Sequence, residues 1–236
     1  MNAAAADRAG VDPDTLVDIV TIDGPAGAGK STVAREAAKR LGMRFLDTGA
    51  MYRAATWWAM HSHIDLANPD ALAEATRRMP LELIERNGSL IVHVGGTDVS
   101  QAIRTPEVTR SIRHLDGVPG VRAHLVELQR VFAVKGPTVA EGRDMGTVVF
   151  PKARCKIFLD ASIGERAKRR ALEMEQHGLT VDRAALEAEI AARDDNDRNR
   201  AVAPLRPAPD AVLVDTTGKS LDDVIGEIVR LARAAK

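Results

Sequence analysis

The spacing of apolar residues changes period several times along this chain, and each change predicts a new element. From Val17 the run VDIVTIDG is short, apolar and closed by Asp-Gly, the pattern of a strand buried on both faces. Lys30 to Leu41 has helical composition and ends at Gly42, a helix stop. A brief apolar piece, Arg44 to Leu46, leads to Asp47-Thr48-Gly49, and a second helix is expected from about Ala50 to Met60. Between about Pro69 and Thr105 the texture differs. LELIE, an Asn87-Gly88 turn and SLIVHV predict a β-hairpin with a primed turn, followed by Gly95-Gly96 and TDVS. Helical spacing returns from about Pro119 to Val134, and PTVAEGRD and CKIFLDA read as two further buried strands. Glu165 to His177 predicts a basic helix and Arg183 to Arg200 one dominated by charge. AVLVDTT is a last core strand, and Ser220 to Ala235 a closing amphipathic helix with Ser220 as N-cap and Asp223 at the capping-box position.

Strands and helices alternating through short connections argue for an α/β fold on a parallel sheet, with the antiparallel patch as an insertion. Residues 1 to about 14 are alanine-rich and acidic without a period, and read as a disordered lead-in. The 236 residues are enough for one sizeable core with an appendage, or for two modest domains. Lys+Arg and Asp+Glu stand at 33 each, so the balance gives no reason to expect nucleic acid or an anionic membrane as partner. Arginine nevertheless gathers in a few short segments, as sites that handle phosphate require. No apolar run approaches the roughly 20 residues that span a bilayer. The amino terminus lacks the basic start and apolar stretch of a secretory signal, so the cytoplasm is the expected location. Cys155 is the sole cysteine, and at the head of an apolar strand it is expected to be buried and inert. Trp57 and Trp58 are expected to pack their helix against the core or the insertion, and the six histidines show no metal-ligand spacing.

The most specific chemistry lies between the first strand and the first helix. Gly24, Pro25, Ala26, Gly27, Ala28, Gly29, Lys30 and Ser31 fit the pattern G-x-x-x-x-G-K-[ST], with Thr32 next. Glycines let successive backbone N–H groups turn inward at phosphate oxygens, and the following helix points its positive end at the same place. Lys30 can reach the β- and γ-phosphates, and the Ser31 hydroxyl can ligate Mg²⁺. The segment points to a nucleoside triphosphate without saying what is done with it. A guanine-reading Asn-Lys-x-Asp element is absent, and no apolar strand ends in paired acids, since KIFLD closes on Asp160 alone. The short, arginine-rich chain fits a small-molecule kinase better than a switch or a motor.

Five blocks then appear in order: the phosphate loop, LDTGAMYR from Leu46, DVSQAIRTPEV from Asp98, EGRDMGTVVFP with KIFLDAS from Glu141, and RDDNDRNRAVAPL from Arg193. Together they closely resemble the bacterial cytidylate kinases from about Val17 to the carboxyl end. The resemblance implies the nucleoside monophosphate kinase version of the P-loop fold. It has a five-stranded parallel core (about 15–47, 118–178 and 204–236), an acceptor-binding domain with a β insertion (about 48–117) and a helical lid (about 179–203). The implied activity is transfer of a phosphoryl group from ATP, with Mg²⁺, to CMP or dCMP, by a monomer that needs neither nucleic acid nor membrane. UMP, AMP and shikimate remain alternative acceptors of related kinases, and a P-loop switch or regulatory ATP-binding module is the non-enzyme alternative.

By that resemblance Lys30, Arg143, Arg193 and Arg200 are catalytic, and Arg169 is the arginine on the ATP side. Thr48, Tyr52, Arg53, Arg104, Arg122, Arg143, Asp144, Arg193, Asp197 and Arg200 would bind the acceptor, with Arg122 and Asp144 on the cytosine. Read on its own, Thr48 is equally a plain N-cap, and Asp144 equally a Mg²⁺ ligand or a partner of Arg143. Arg193, Asp197 and Arg200 fall on one helix face at i, i+4 and i+7, with the carboxylate between the two guanidinium groups to steady them, a spacing that in isolation also describes a solvated charged helix making i, i+4 pairs. Arg166 and Arg170 can be read as surface charges. One departure touches base recognition: the family often carries a serine nine positions before the Arg122 equivalent, where this chain has Arg113, with Ser111 nearby.

Overall fold

A computed structural model describes residues 11–86, 89–176, 178 and 180–235. Its centre is strand β1 (Ile19–Asp23), buried at all five positions because its side chains face helices on both sides of a sheet. β6 (Thr138–Gly142) and β7 (Cys155–Asp160) flank it, with β2 (Arg44–Asp47) and β8 (Val212–Asp215) outermost, in the order β2-β6-β1-β7-β8. Every pairing is parallel. The expected parallel α/β core is therefore present, and its strands all end on one side.

One face of the sheet packs against α1 (Lys30–Leu41) and α8 (Leu221–Ala234), whose Val33, Ala34, Ala37, Ile225 and Ile228 close over Val20, Ile22, Ile157 and Leu159. Ser220 caps α8 as expected, accepting from the Asp223 amide at 3.2 Å. The other face meets α2 (Thr48–His61) and α5 (Pro119–Val134), with Met51, Ala54, Val121 and Leu125 buried beside Leu46 and Ala140. Each fully buried Leu or Ile contributes about 1.5–3 kcal/mol relative to exposure, so these two layers hold the strand ends, and whatever grows from them, in place.

Away from the sheet lies a second, antiparallel one of β3 (Leu81–Arg86), β4 (Ser89–Val94) and β5 (Thr97–Asp98). Arg86 pairs with Ser89, in keeping with the predicted hairpin; the Asn87-Gly88 turn itself lies outside the described residues. Part of the stretch expected to be strand-rich is helical instead. α3 (Pro69–Arg78) starts where the Asn68 side chain accepts from the Ala71 amide at 3.1 Å and Pro69 presets the first turn. It is kept by burial of Leu72, Ala73, Ala75 and Thr76 on one side. Trp58 ties α2 to it by donating from the indole to the Ala75 carbonyl at 3.0 Å, and Trp57 stacks on His61. A short α4 (Pro106–Ser111), capped by Thr105, follows.

Beyond β7, α6 (Ile163–Gln176) and α7 (Arg183–Asn199) form a pair that shares the small apolar cluster Ala167, Ala171, Leu186 and Ile190. Arg200 is the extended residue that ends α7, and His177 lies outside the described residues. Of the expected disordered lead-in, residues 1–10 are not described, and Pro13–Thr15 forms one 3₁₀ turn capped by Asp12. Cys155 is buried, and burial pushes its thiol pKa up. No helix among the described residues is long and apolar enough to cross a membrane.

Candidate functional site

The strand ends on the carboxyl side of the sheet open into a cleft of about 520 Å³, where ligands of open α/β sheets bind. Its first wall is backbone. β1 stops at Asp23 and the chain turns at Gly24, whose φ of +150° and approach to β7 leave no room for a side chain: an added Cβ would lie 2.0 Å from the Leu159 carbonyl oxygen. The loop then reaches Gly29, left-handed at φ +87°, and enters α1 with the helix N-terminus facing the cleft. Unpaired N–H groups and the helix dipole make this wall attractive to anions before any side chain is counted.

Lys30 is the side chain that completes this wall. It is buried, and its ammonium donates to the Pro25 carbonyl at 2.7 Å, folded back over its own loop. Burial, and then the nearby Arg143, lowers its pKa from the usual lysine range toward neutrality. Beside it the Ser31 hydroxyl donates to Glu141 Oε1 at 2.6 Å. Burial, with Asp47 adding to it, pushes the Glu141 carboxyl in the opposite direction. Asp23 is raised to about 6 by burial, although it accepts from the amides of Met145 and Gly146 at 2.8 Å each. It holds the turn after β6 against the end of β1.

The facing wall is made of guanidinium groups. Arg53, one turn into α2, pairs with Asp47 at 3.1 Å, and the exposed Arg104 reaches the same carboxylate at 3.6 Å. Arg143, directly after β6, is held by Asp197 of α7 at 2.8 Å. Burial works against the Asp197 charge, but Arg143, Arg193 and Arg200 outweigh it and keep the carboxyl below its usual range. Arg122 of α5 is buried and paired with Asp144, with the Tyr52 ring centre 5.8 Å from its guanidinium carbon. Arg200 is fastened through its Nε to the Ala203 carbonyl at 2.6 Å, in a turn where Ala203 takes the left-handed φ of 48°. Arg53 Nε and Arg200 Nη2 are buried without a hydrogen-bond partner among the described residues, an arrangement that an anionic ligand would relieve.

Comparison with known proteins bears directly on this cleft. The sequence profile described as cytidylate kinase matches residues 20–234. The chain belongs to the cytidylate kinase family. A cytidylate kinase of Salmonella paratyphi B is 46% identical over 218 residues, covering 92% of this chain and 96% of that protein. A bifunctional pantoate ligase/cytidylate kinase of Synechococcus elongatus is 52% identical over 220 residues, covering 91% of this chain but only 42% of its own length. The chain thus spans less than half of that relative.

This member of the cytidylate kinase family brings most of the residues named from sequence to one place. Ala26, Gly27, Gly29, Lys30, Ser31, Thr32, Thr48, Tyr52, Arg53, Arg104, Arg122, Arg143, Asp144, Arg169, Arg193, Asp197 and Arg200 all line the cleft. Gly24, Pro25 and Ala28 stand behind it as loop structure, Pro25 through its carbonyl on Lys30. Arg169 is set by Glu165 at 3.1 Å and by the Thr216 carbonyl at 2.7 Å.

Several local readings need correction. Thr48 is not the cap of α2: Asp47 is, accepting from the Ala50 amide at 2.7 Å, while the Thr48 hydroxyl donates to the Glu141 carbonyl at 2.7 Å. Asp144 pairs with Arg122 rather than Arg143, and the carboxylate that meets Ser31 is that of Glu141. Asp197 steadies Arg143, not chiefly the two arginines of its own helix. Arg166 is no surface charge. It is 1% exposed and donates to Asp194 of α7 at 3.0 Å and to the Ala26 carbonyl of the phosphate loop at 3.0 Å. Arg170 also lines the cleft. Arg113 is exposed and, like Ser111, does not line the cleft; Thr109, Ile112 and Asp116 of that stretch do.

Sequence reasoning passed over Asp47, Asp116 and Glu141, and took Arg166 and Arg170 for surface charges. Asp47 and Glu141 stand inside quoted motifs, and their position at strand ends was the available signal. Arg166 gave none, because only packing reveals the buried partner Asp194.

Proposed function

We propose that the protein transfers the γ-phosphoryl group of ATP to CMP or dCMP, giving ADP and CDP or dCDP. One observation carries the reading: the phosphate cradle and the side chains of Arg53, Arg143, Arg193 and Arg200 line a single cleft. The ATP triphosphate lies along the loop from Gly24 to Thr32, with Lys30 swinging from Pro25 onto the β- and γ-phosphates. Arg169 guides the ATP side. The acceptor phosphate meets Arg53 and Arg143, with Thr48 and Arg104 at the margin, and Arg193 and Arg200 close from α7. Asp197 takes the ribose, Tyr52 supports the acceptor, and Arg122 with Asp144 reads the cytosine.

Two phosphate-bearing molecules repel each other, and charge spreads over the transferring group. Catalysis is therefore largely positioning and electrostatic stabilisation, without a covalent protein intermediate. Converging guanidinium groups supply both. The Ser31 hydroxyl, hydrogen-bonded to the Glu141 carboxylate, suits Mg²⁺ bound with ATP phosphates: a hard ion that keeps several waters needs few protein ligands. Such an ion neutralises phosphate charge when bound. The core (about 15–47, 118–178 and 204–236) stays fixed while the acceptor-binding part (about 48–117) and the lid (about 179–203) close and keep water from the γ-phosphate.

The test is acceptor-dependent ADP release in a coupled assay with CMP, dCMP, UMP and AMP. The expected result is efficient release with CMP and dCMP and at least about tenfold lower kcat/KM with AMP, the size of one lost base contact. Tight ATP binding with no more ADP released in the presence of CMP than in its absence would end the reading in favour of a binding module.

A further inference from the structure

Asp116 lies in the connection between α4 and α5 and lines the cleft beside Arg122. Its backbone carbonyl accepts from Arg122 Nη1 at 3.3 Å, while Arg122 Nη2 holds the Asp144 carboxylate. One guanidinium therefore ties the Asp116 backbone to the Asp144 carboxylate, and both carboxylates act through space on the Tyr52 hydroxyl beside Arg122. The carboxylates around Asp116 each have a donor within the protein, Glu141 in Ser31, Asp144 in Arg122 and Asp197 in Arg143, and keep lone pairs for a ligand. The Asp116 carboxylate makes no hydrogen bond or ion pair among the described residues and feels Arg200, Arg122, Arg193 and Asp197 only through space. Burial opposes its charge and pushes its pKa up. A carboxylate held in a cleft without a donor is costly, and the cost is relieved when a ligand supplies one.

We infer that Asp116 accepts a hydrogen bond from the exocyclic amine of the acceptor's base, so that Asp116 and Asp144 between them take both protons of that amine. This rests on the acceptor reading proposed above and adds to it a specificity residue. The chemistry is one-sided. An ionised carboxylate can only accept, and the amine of cytosine donates at the position where uracil presents a carbonyl oxygen. With uracil, two carboxylates face an acceptor that nothing pairs, so the site rejects it by repulsion as well as by a missing bond. Arg122, which only donates, is left for the acceptor atoms of the ring.

Asp116→Asn and Asp116→Ala, with kcat/KM measured for CMP, UMP and dCMP at saturating ATP, test this. The asparagine amide keeps the shape and offers a donor to a carbonyl. The ratio of CMP to UMP efficiency should fall about tenfold or more in the Asn variant, the value of one charge-assisted hydrogen bond, and also fall in the Ala variant. The KM for ATP and the ratio of CMP to dCMP should not change. An equal fall for CMP and UMP would make Asp116 mere scaffolding and overturn the inference. A change in the CMP to dCMP ratio instead would put the carboxylate on a ribose hydroxyl and overturn it too. A wild-type enzyme inactive on CMP would remove the proposed function and this inference together. An active wild type whose Asn variant keeps its selectivity would remove this inference alone.

Discussion

The two walls of the cleft, both rich in groups that attract anions, are opposite constructions. The loop from Gly24 to Ser31 is one uninterrupted segment whose donors are backbone amides, fixed by left-handed glycines and a helix end. The facing wall draws on residues from α2, α5, the end of β6 and α7, and its donors are long side chains held by carboxylates. A backbone cradle is rigid by connectivity. A guanidinium wall is pre-organised only as well as its partners hold it, and those partners can exchange when phosphate arrives.

The sharpest way to break this contrast is at Gly24. Gly24→Ala puts a methyl against the Leu159 carbonyl in a backbone region that side chains rarely adopt, with no flexible neighbour to yield. The expected loss is about 4 kcal/mol of stability or more, read as a fall in thermal midpoint of roughly 10 °C. An unchanged midpoint would mean that the cradle is soft and the two walls are alike.

Asp197→Asn probes the other wall. Removing the charge that holds Arg143 should lower kcat/KM for the acceptor about tenfold to a hundredfold, while ATP affinity from calorimetry stays the same. Equal damage to ATP binding would show that the walls are not separable.

The smallest effect concerns pH. The free protein holds Lys30 with a lowered pKa because the ammonium is buried next to Arg143, and a bound triphosphate favours the charged form. Below the lowered pKa the ammonium is already present and ATP binds fully. As pH rises through it, binding must draw a proton from solvent, and affinity falls by at most about tenfold per unit. Glu141, raised by burial, gains its negative charge as pH rises and acts in the same direction. Calorimetry with Mg²⁺-free ATP in buffers of different ionisation heat should show proton uptake just above neutrality. Buffer-independent heats and a flat affinity from about pH 6 to about pH 9 would mean that the cradle amides alone carry the triphosphate.

Legibility followed the same divide. The cradle could be read because its residues are consecutive and each has a local reason, and β1, α1 and α8 were readable from period and caps. α3 was overlooked because the strand texture of its neighbours was extended over a helix that Asn68, Pro69 and a buried apolar face specify. The start of α2 was misplaced because both Asp47 and Thr48 are residue types that cap helices; only the strand beside them leaves Asp47 free to cap and directs Thr48 to the Glu141 carbonyl. Arg166 looked like one more charge on a basic helix, yet its partner Asp194 lies 28 residues away on α7.

Local order along the chain was enough to establish the glycine-rich strand–loop–helix, the alternation that makes a parallel sheet, and the motifs that mark the cytidylate kinase family. Those depend on backbone geometry and short-range spacing, which neighbouring residues fix. Folding in three dimensions chose which carboxylate holds which arginine, buried Arg166 between phosphate loop and α7, turned Arg113 outward and left the Asp116 carboxylate without a hydrogen bond or ion pair among the described residues. Ion pairs are made across space between interchangeable charged side chains, so no spacing along the chain could have assigned them.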